Sequence, residues 1–292
     1  MVLFGRAKQV TISFNHFDKS RPVLGEMAKT LVLPQTSSPV ALVTIAHADD
    51  LLLFCGATVI HLVSNGWQVH VIRVTDDRWD SWGISENESI ERNQNEFRDA
   101  MNSIGVASIT ELGYPTDLLG DRSEVELRKS LMDNIRRVRP YLVMTFDPDS
   151  LLHEDNEDHK LVARAMTEAA WTSGFDKHPG SAYEVINPHV PIERWFFGRR
   201  VAEVTHIVEI EPYVDQLVIA IAKHQTMLIN MAHQLDLQAN FLGYSLDKLI
   251  HIAEITPEEF ARMILAGRSN EELRVVGPER ILDAIERFGE PL

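Results

Sequence analysis

The residues Ile45-Ala46-His47-Ala48-Asp49-Asp50 end an apolar run in one imidazole and two adjacent carboxylates. An imidazole and a carboxylate three residues apart, at a tight strand-to-helix turn, can point at one ion. Two neighbouring aspartates allow a division of labour, in which one binds the ion and the other takes a proton from water. The third ligand must come from elsewhere in the chain. His159, in Asn156-Glu157-Asp158-His159, opens a helix after a later apolar run and can approach the same edge. Two histidines and one carboxylate, with one position left for water, form a catalytic rather than a closed structural zinc pattern. The same donors also suit iron, cobalt or manganese. Asp158 can orient a ligand imidazole or hold the start of its own helix. The only cysteine, Cys55, excludes a Cys-rich zinc site and an intrachain disulfide.

The elements that must position these residues alternate. Val40 to Ala46 is short, β-branched and continuously apolar, as a strand buried on both faces should be. Leu51 to Ser64 reads as a helix closed by Asn65-Gly66, and Val69 to Thr75 as a second strand that ends at Asp76-Asp77. Ser85 with Glu88 starts a polar helix that Gly105 stops, and Ala107 to Leu112 supplies a third strand. Ser123 with Glu126 starts a helix running to Val138, and Tyr141 to Phe146 is a fourth strand leading into an acidic loop from Asp147 to Asp158. Lys160 to Ser173 is again helical. This order predicts an α/β fold, a Rossmann-like and mostly parallel sheet with helices on both faces, whose ligands bind at the carboxyl ends of the strands.

Further on, Trp195 to Arg199 and His206 to Ile210 read as two strands and Val214 to Leu237 as one helix, with a small helical C-terminal appendage after it. The divisions expected are an N-terminal accessory arm over 1–38, containing a short strand at Val10 to Phe14, the main domain over 39–240, and the appendage over 241–292. The chain has 292 residues and a formal charge of −15, which gives nucleic acid no long-range attraction and leaves a small-molecule partner as the expectation. No apolar run reaches the roughly 18–20 residues of a membrane span, and the first residues lack a signal-peptide core, so no membrane partner and a cytoplasmic location are expected. Homo-oligomerisation is left open.

The motifs together resemble the LmbE-like, or PIG-L type, zinc-dependent N-acetylglucosaminide deacetylases. That family's first motif, Ala-His-Pro-Asp-Asp-Glu followed by a Gly-Gly pair, is matched in part by Ala46-His47-Ala48-Asp49-Asp50-Leu51 and Cys55-Gly56-Ala57, in which the Pro, the Glu and the second Gly are missing. Glu96, Ala100 and Ile104-Gly105-Val106 fall in register with its middle region, where Asn93 takes the place of an arginine and Arg92 stands one residue away. Its last motif, His-x-Asp-His, is met by Asn156-Glu157-Asp158-His159, with Asn156 in place of the first histidine. The resemblance implies His47, Asp50 and His159 as zinc ligands and Asp49 as general base. His153, in the same loop, and His224 are the candidates to replace the missing histidine. Asp158, Asp77 and Arg92 are further candidates for contact with a ligand residue or with substrate.

The function expected is therefore metal-dependent hydrolysis of an amide, an N-deacetylation of an N-acetylated aminosugar or glycoconjugate. Two alternatives stand beside it: hydration of an unsaturated dicarboxylic acid by the same ion, and a non-catalytic binding protein with a degenerate site.

Overall fold

The computed structural model describes residues 28–180 and 186–290, so the strand expected at Val10 to Phe14 lies outside the described residues. After a two-residue strand β1 (Lys29–Thr30), the buried run becomes β2 (Val40–Ile45). The helix expected next is two helices, α1 (Asp50–Phe54) and α2 (Gly56–Ser64), broken at Cys55 where φ is −144°. Then follow β3 (Gln68–Thr75), α3 (Glu86–Ser103), β4 (Ser108–Tyr114), α4 (Glu124–Val138), β5 (Leu142–Phe146) and α5 (Glu157–Thr172). Ser85 and Ser123 cap α3 and α4 as their capping-box spacing predicts, each side chain accepting from the backbone N–H three residues on. β6 (Glu193–Phe197) and β7 (His206–Glu209) complete the expected strands.

The single long helix expected over 214–237 is also two, α6 (Val214–Ala222) and α7 (Gln225–Phe241), which break at Lys223-His224. The C-terminal stretch contains the expected helices, α8 (Asp247–Ile255), α9 (Pro257–Leu265) and α10 (Glu279–Phe288). It also contains an unexpected strand, β8 (Asn270–Val276). Residues 241–292 are therefore not purely helical, and part of this stretch is built into the sheet.

One eight-stranded sheet has the order β1-β7-β8-β6-β5-β2-β3-β4. Its pairs are parallel except those of β8, which runs against both β6 and β7. From β2 the chain steps outward to β3 and β4, then returns to place β5 on the other side of β2. Right-handed crossovers put α2 and α3 on one face, where α6 and α7 join them, and put α4 and α5 on the other. The reversal between β2 and β5 opens a crevice at the carboxyl ends of the strands, which is where ligands bind in such sheets. His47 follows β2 and His159 follows β5, so the fold delivers one histidine to each wall of that crevice.

The start of α2 packs closely against α6. A Cβ on Gly56 would lie 2.5 Å from Leu217 Cδ2 of α6, so this position admits only glycine without repacking.

Candidate functional site

The turn after β2 is held by its own backbone. Asp50 Oδ2 accepts from the N–H groups of Ala46 (3.1 Å) and His47 (2.7 Å), which fixes the carboxylate and leaves Oδ1 directed elsewhere. Thr75, at the end of β3, donates its N–H (3.0 Å) and its hydroxyl (2.8 Å) to the Ala46 carbonyl. Asp77, in the left-handed region at φ 55°, accepts from Ala48 N–H (3.1 Å), Arg73 Nη1 (2.9 Å) and the Thr75 hydroxyl (3.1 Å). Burial pushes the Asp77 carboxyl up to about 7, with Arg73 pulling against it. Fully buried and surrounded by these donors, Asp77 braces the turn.

The second half follows β5. Asn156 caps α5, its Oδ1 accepting from Asp158 N–H (2.9 Å) and His159 N–H (3.3 Å). The residue that replaces the family's histidine is thus engaged in holding the helix start. Phe146 stacks on the His159 ring at 4.1 Å between centroids and 13° between planes, and Phe54 meets it edge-on at 5.9 Å. These contacts leave the imidazole little rotational freedom.

The two halves meet at three side chains. His47 Nδ1 lies 3.2 Å from His159 Nε2 and 3.5 Å from Asp50 Oδ2, and His159 Nε2 lies 3.1 Å from Asp50 Oδ1. Ligands about 2.0–2.2 Å from a tetrahedral zinc are separated by roughly these distances. All three residues are buried and form a candidate metal-binding group. The far nitrogen of each imidazole faces a carboxylate, His47 Nε2 at 3.3 Å from Asp158 Oδ2 and His159 Nδ1 at 3.1 Å from Glu154 Oε2. Carboxylates so placed orient ligand histidines and raise their basicity.

The electrostatics agree with a cation at this point. Burial works against charge on His47, yet Asp158 and Asp50 outweigh it and raise its pKa well above the ordinary value. His159 moves upward for the same reason, with Asp50 and Glu154 overcoming burial. Burial also opposes charge on Asp50, but the two imidazoles hold its carboxyl far below the usual carboxylate range. Asp49, half-buried beside them, is pushed up to about 8, first by burial and then by the Asp50 charge. A carboxylate in that range is matched to proton transfer near neutral pH.

The remaining candidates divide. Asp158 is 1% exposed and joins the site through His47. His153 is exposed and lines a cavity together with His159, Glu154, Arg199 and Arg200. Arg92 lies away from the site: its side chain is half-exposed and pairs with Glu88 at 2.6 Å on the outer face of α3. Asn93, its neighbour, is buried and donates to the carbonyls of Asp77 (3.0 Å) and Asp80 (3.1 Å). His224 is buried between α6 and α7, and burial with the nearby Arg73 charge lowers its pKa to about 3, so it is a neutral ring outside the three-residue group. Glu154 was not among the residues singled out in the sequence. Its only signal there is an acid five positions before His159, which no metal-site spacing marks.

Residues 42–170 match the model of the family described as PIG-L: GlcNAc-PI de-N-acetylase. The chain is 27% identical over 180 residues to a 1D-myo-inositol 2-acetamido-2-deoxy-alpha-D-glucopyranoside deacetylase from Mycobacterium leprae, covering 51% of this chain and 58% of that protein. It thus spans little more than half the length of the curated relatives it matches. Its fold is that of an N,N'-diacetylchitobiose deacetylase from Pyrococcus horikoshii, with a TM-score of 0.64 and 20% identity over 84% of this chain and 86% of that one. A 4-carboxy-2-hydroxymuconate hydratase from Pseudomonas putida KT2440 shares the fold at a TM-score of 0.53 and 19% identity, over 82% and 96% of the two chains. Among the described residues no helix is long and apolar enough to cross a membrane. Over residues 42–170 the chain resembles the PIG-L family.

Proposed function

We propose that this protein is a zinc-dependent N-deacetylase acting on a small N-acetylated aminosugar conjugate. The observation that carries the reading is the convergence of His47 Nδ1, Asp50 and His159 Nε2 within 3.5 Å of one another, with Asp49 beside them. Two imidazoles and one carboxylate favour zinc among the transition ions. The relatives named as deacetylases of an acetamido-sugar inositol and of diacetylchitobiose support the substrate class.

A divalent ion at this point supplies a Lewis acid for the amide carbonyl and lowers the pKa of water. The chain's residues do the rest. Asp49 accepts the proton of the attacking water and returns it to the amide nitrogen as the C–N bond breaks, leaving acetate and a free amine. Asp158 and Glu154 hold the two imidazoles in one tautomer and orientation. His153 is the candidate for the polarising role that Asn156 cannot fill, because Asn156 Oδ1 caps α5.

The test is acetate release from N-acetylglucosaminyl inositol and from N-acetylated chitooligosaccharides, with metal analysis of the same samples. Asp49→Asn should lower turnover by roughly 10²–10⁴-fold and keep about one zinc per chain. Undiminished acetate release by that variant, or wild-type protein without a stoichiometric transition metal, overturns the reading. Loss of conjugated-acid absorbance without acetate release would instead indicate a hydratase.

A further inference from the structure

The crevice has a rim that the chemistry above does not use. The loop after β3 starts at Asp77, which accepts from Ala48 N–H in the turn that carries His47. It continues as Arg78-Trp79-Asp80-Ser81-Trp82-Gly83 toward α3. Consecutive Cα atoms are about 3.8 Å apart, so the Trp79 backbone lies within roughly 8 Å of that of Asp77. Asp80, between the two tryptophans, has its carboxyl raised first by burial, against the pull of His47, and then by the charges of Asp117, Asp50 and Asp158. The loop thus stands beside the metal-binding group, at the carboxyl ends of the strands.

The loop is pinned, yet its tryptophans are left open. Asn93 donates to the carbonyls of Asp77 and Asp80, the Ser89 hydroxyl donates to the Asp77 carbonyl at 2.9 Å, and Asp80 N–H closes back on Asp77 at 3.2 Å. Trp79 Nε1–H donates to Glu86 Oε1 at 3.0 Å, which fixes one edge of its ring. Trp82 lies flat on His233 of α7, at 4.5 Å between centroids and 9° between planes. The imidazole covers one face of that indole, so its exposed surface is the other face and the edges. Trp79 and Trp82 are each 43% exposed, whereas Trp67 and Trp195 in the core are 6% and 0% exposed. Indoles oriented by specific partners and still open to water are what ligand sites are lined with. Trp171 is also exposed, but it sits in the last turn of α5, toward the opposite edge of the sheet.

We propose that Trp79 and Trp82 form a stacking platform for the ring joined to the acetamido sugar. The acetamido group must reach His47, Asp50 and His159, so what covers a platform on the rim is the neighbouring part of the conjugate. A pyranose or cyclitol ring presents C–H groups on its faces, and these pack on the negative face of an indole. A pinned loop also avoids the ordering cost that a mobile one would meet on binding. The inference rests on the aminosugar reading above. It adds that the substrate carries a second saturated ring and that this loop selects for it.

The experiment measures binding apart from turnover. The zinc-loaded full chain carrying Asp49→Asn is titrated by calorimetry with two-ring ligands, N,N'-diacetylchitobiose and N-acetylglucosaminyl inositol, and with N-acetylglucosamine, while tryptophan emission is followed in parallel. Adding Trp79→Ala or Trp82→Ala should weaken binding of a two-ring ligand roughly three- to tenfold and reduce its effect on emission. Binding of N-acetylglucosamine should change less than about twofold. Trp79→Phe and Trp82→Phe keep an aromatic face and should recover part of the affinity, and Trp171→Ala should match the parent. In the active chain Trp82→Ala should raise KM for two-ring substrates with little change in kcat. A parent chain that binds neither two-ring ligand more tightly than N-acetylglucosamine overturns the proposal. So do alanine variants of unchanged affinity, including the case in which Trp82→Ala turns a dimer into a monomer and the rim is a contact between copies. Acetate release with unchanged KM in the alanine variants would remove the platform and keep the deacetylase reading, whereas tryptophan-dependent binding without any acetate release by wild type would do the reverse.

Discussion

The two halves of the candidate metal centre are built in opposite ways. The turn after β2 is held by partners on its own or the adjacent strand: Asp50 binds N–H groups three and four residues back, and Thr75 and Asp77 reach across from β3. The loop after β5 depends on remote parts of the chain. Asp147, at its start, is clamped by Arg274 of β8 and by the N–H of Ala202 (2.8 Å), and Glu154 pairs with Arg199 at 3.2 Å. β8 also reaches the other half: Glu271 accepts from Ala57 N–H, Thr58 N–H and the Thr58 hydroxyl at 2.7–2.8 Å, which fixes the start of α2 just past α1. A locally built half should fail as a unit when one residue changes. The remotely built half should loosen by degrees.

Asp50→Ala carries the largest expected effect. It removes a ligand and leaves two buried backbone N–H groups without their acceptor, each worth about 1–3 kcal/mol. Zinc binding measured by competition with a chelator should be abolished, and the melting temperature should fall even in metal-free protein. His159→Ala separates the two consequences, because it should abolish zinc binding with a smaller loss of stability. Equal melting temperatures for the two metal-free variants would break the comparison.

Glu271→Leu comes next. It strips three donors at the start of α2 of their acceptor, and a total loss of about 2–5 kcal/mol is expected in urea or thermal unfolding. Glu271→Gln retains an acceptor oxygen and should cost less than half as much. A stability change below about 1 kcal/mol for the leucine variant would mean that β8 is not part of the site's support.

Glu154→Gln tests the remote half at a single contact. Loss of the carboxylate facing His159 Nδ1 should weaken zinc binding by roughly 10–100-fold while leaving the ligands in place. Arg199→Ala, one step further out at an exposed position, should change it by less than about threefold. If both variants bind zinc like wild type, the loop is held by its backbone alone, like the β2 turn.

The same contrast explains what the sequence revealed. β2 is legible because its residues are β-branched and buried on both faces, and His47 to Asp50 is legible because its partners lie within a few positions. β8 was illegible because Asn270-Glu271-Glu272-Leu273-Arg274 places charges where a buried strand has apolar residues. Glu271 accepts from donors on α2, and Arg274 pairs with Asp147 and Asp149, more than a hundred positions away. The break at Cys55 was hidden for the same reason, since the cap that starts α2 is Glu271. Asn93 and Arg92 show a subtler limit: adjacent residues on α3 lie about 100° apart around the helix, and a register of one decides which reaches the loop after β3.

The smallest expected effect concerns acid, and it reaches the local half through His224. This ring is buried with neither nitrogen hydrogen-bonded among the described residues, and burial with the Arg73 charge lowers its pKa to about 3. The unfolded chain carries it near 6.5, so between those values the unfolded state binds a proton that the native state refuses. Its contribution to stability is therefore intact above pH 6.5 and declines as pH falls toward 3, by on the order of 2 kcal/mol at pH 5. Asp49 and Asp77, raised to about 8 and 7, act in the opposite sense, because the native state binds protons there that the unfolded chain releases down to 3.8. The comparison that isolates His224 is wild type against His224→Leu across pH 7 to 5, in which the carboxylate contributions cancel. Urea unfolding of the variant should lose less stability on acidification, by about 2 kcal/mol at pH 5, and parallel curves would show that His224 takes up its proton in the folded protein after all.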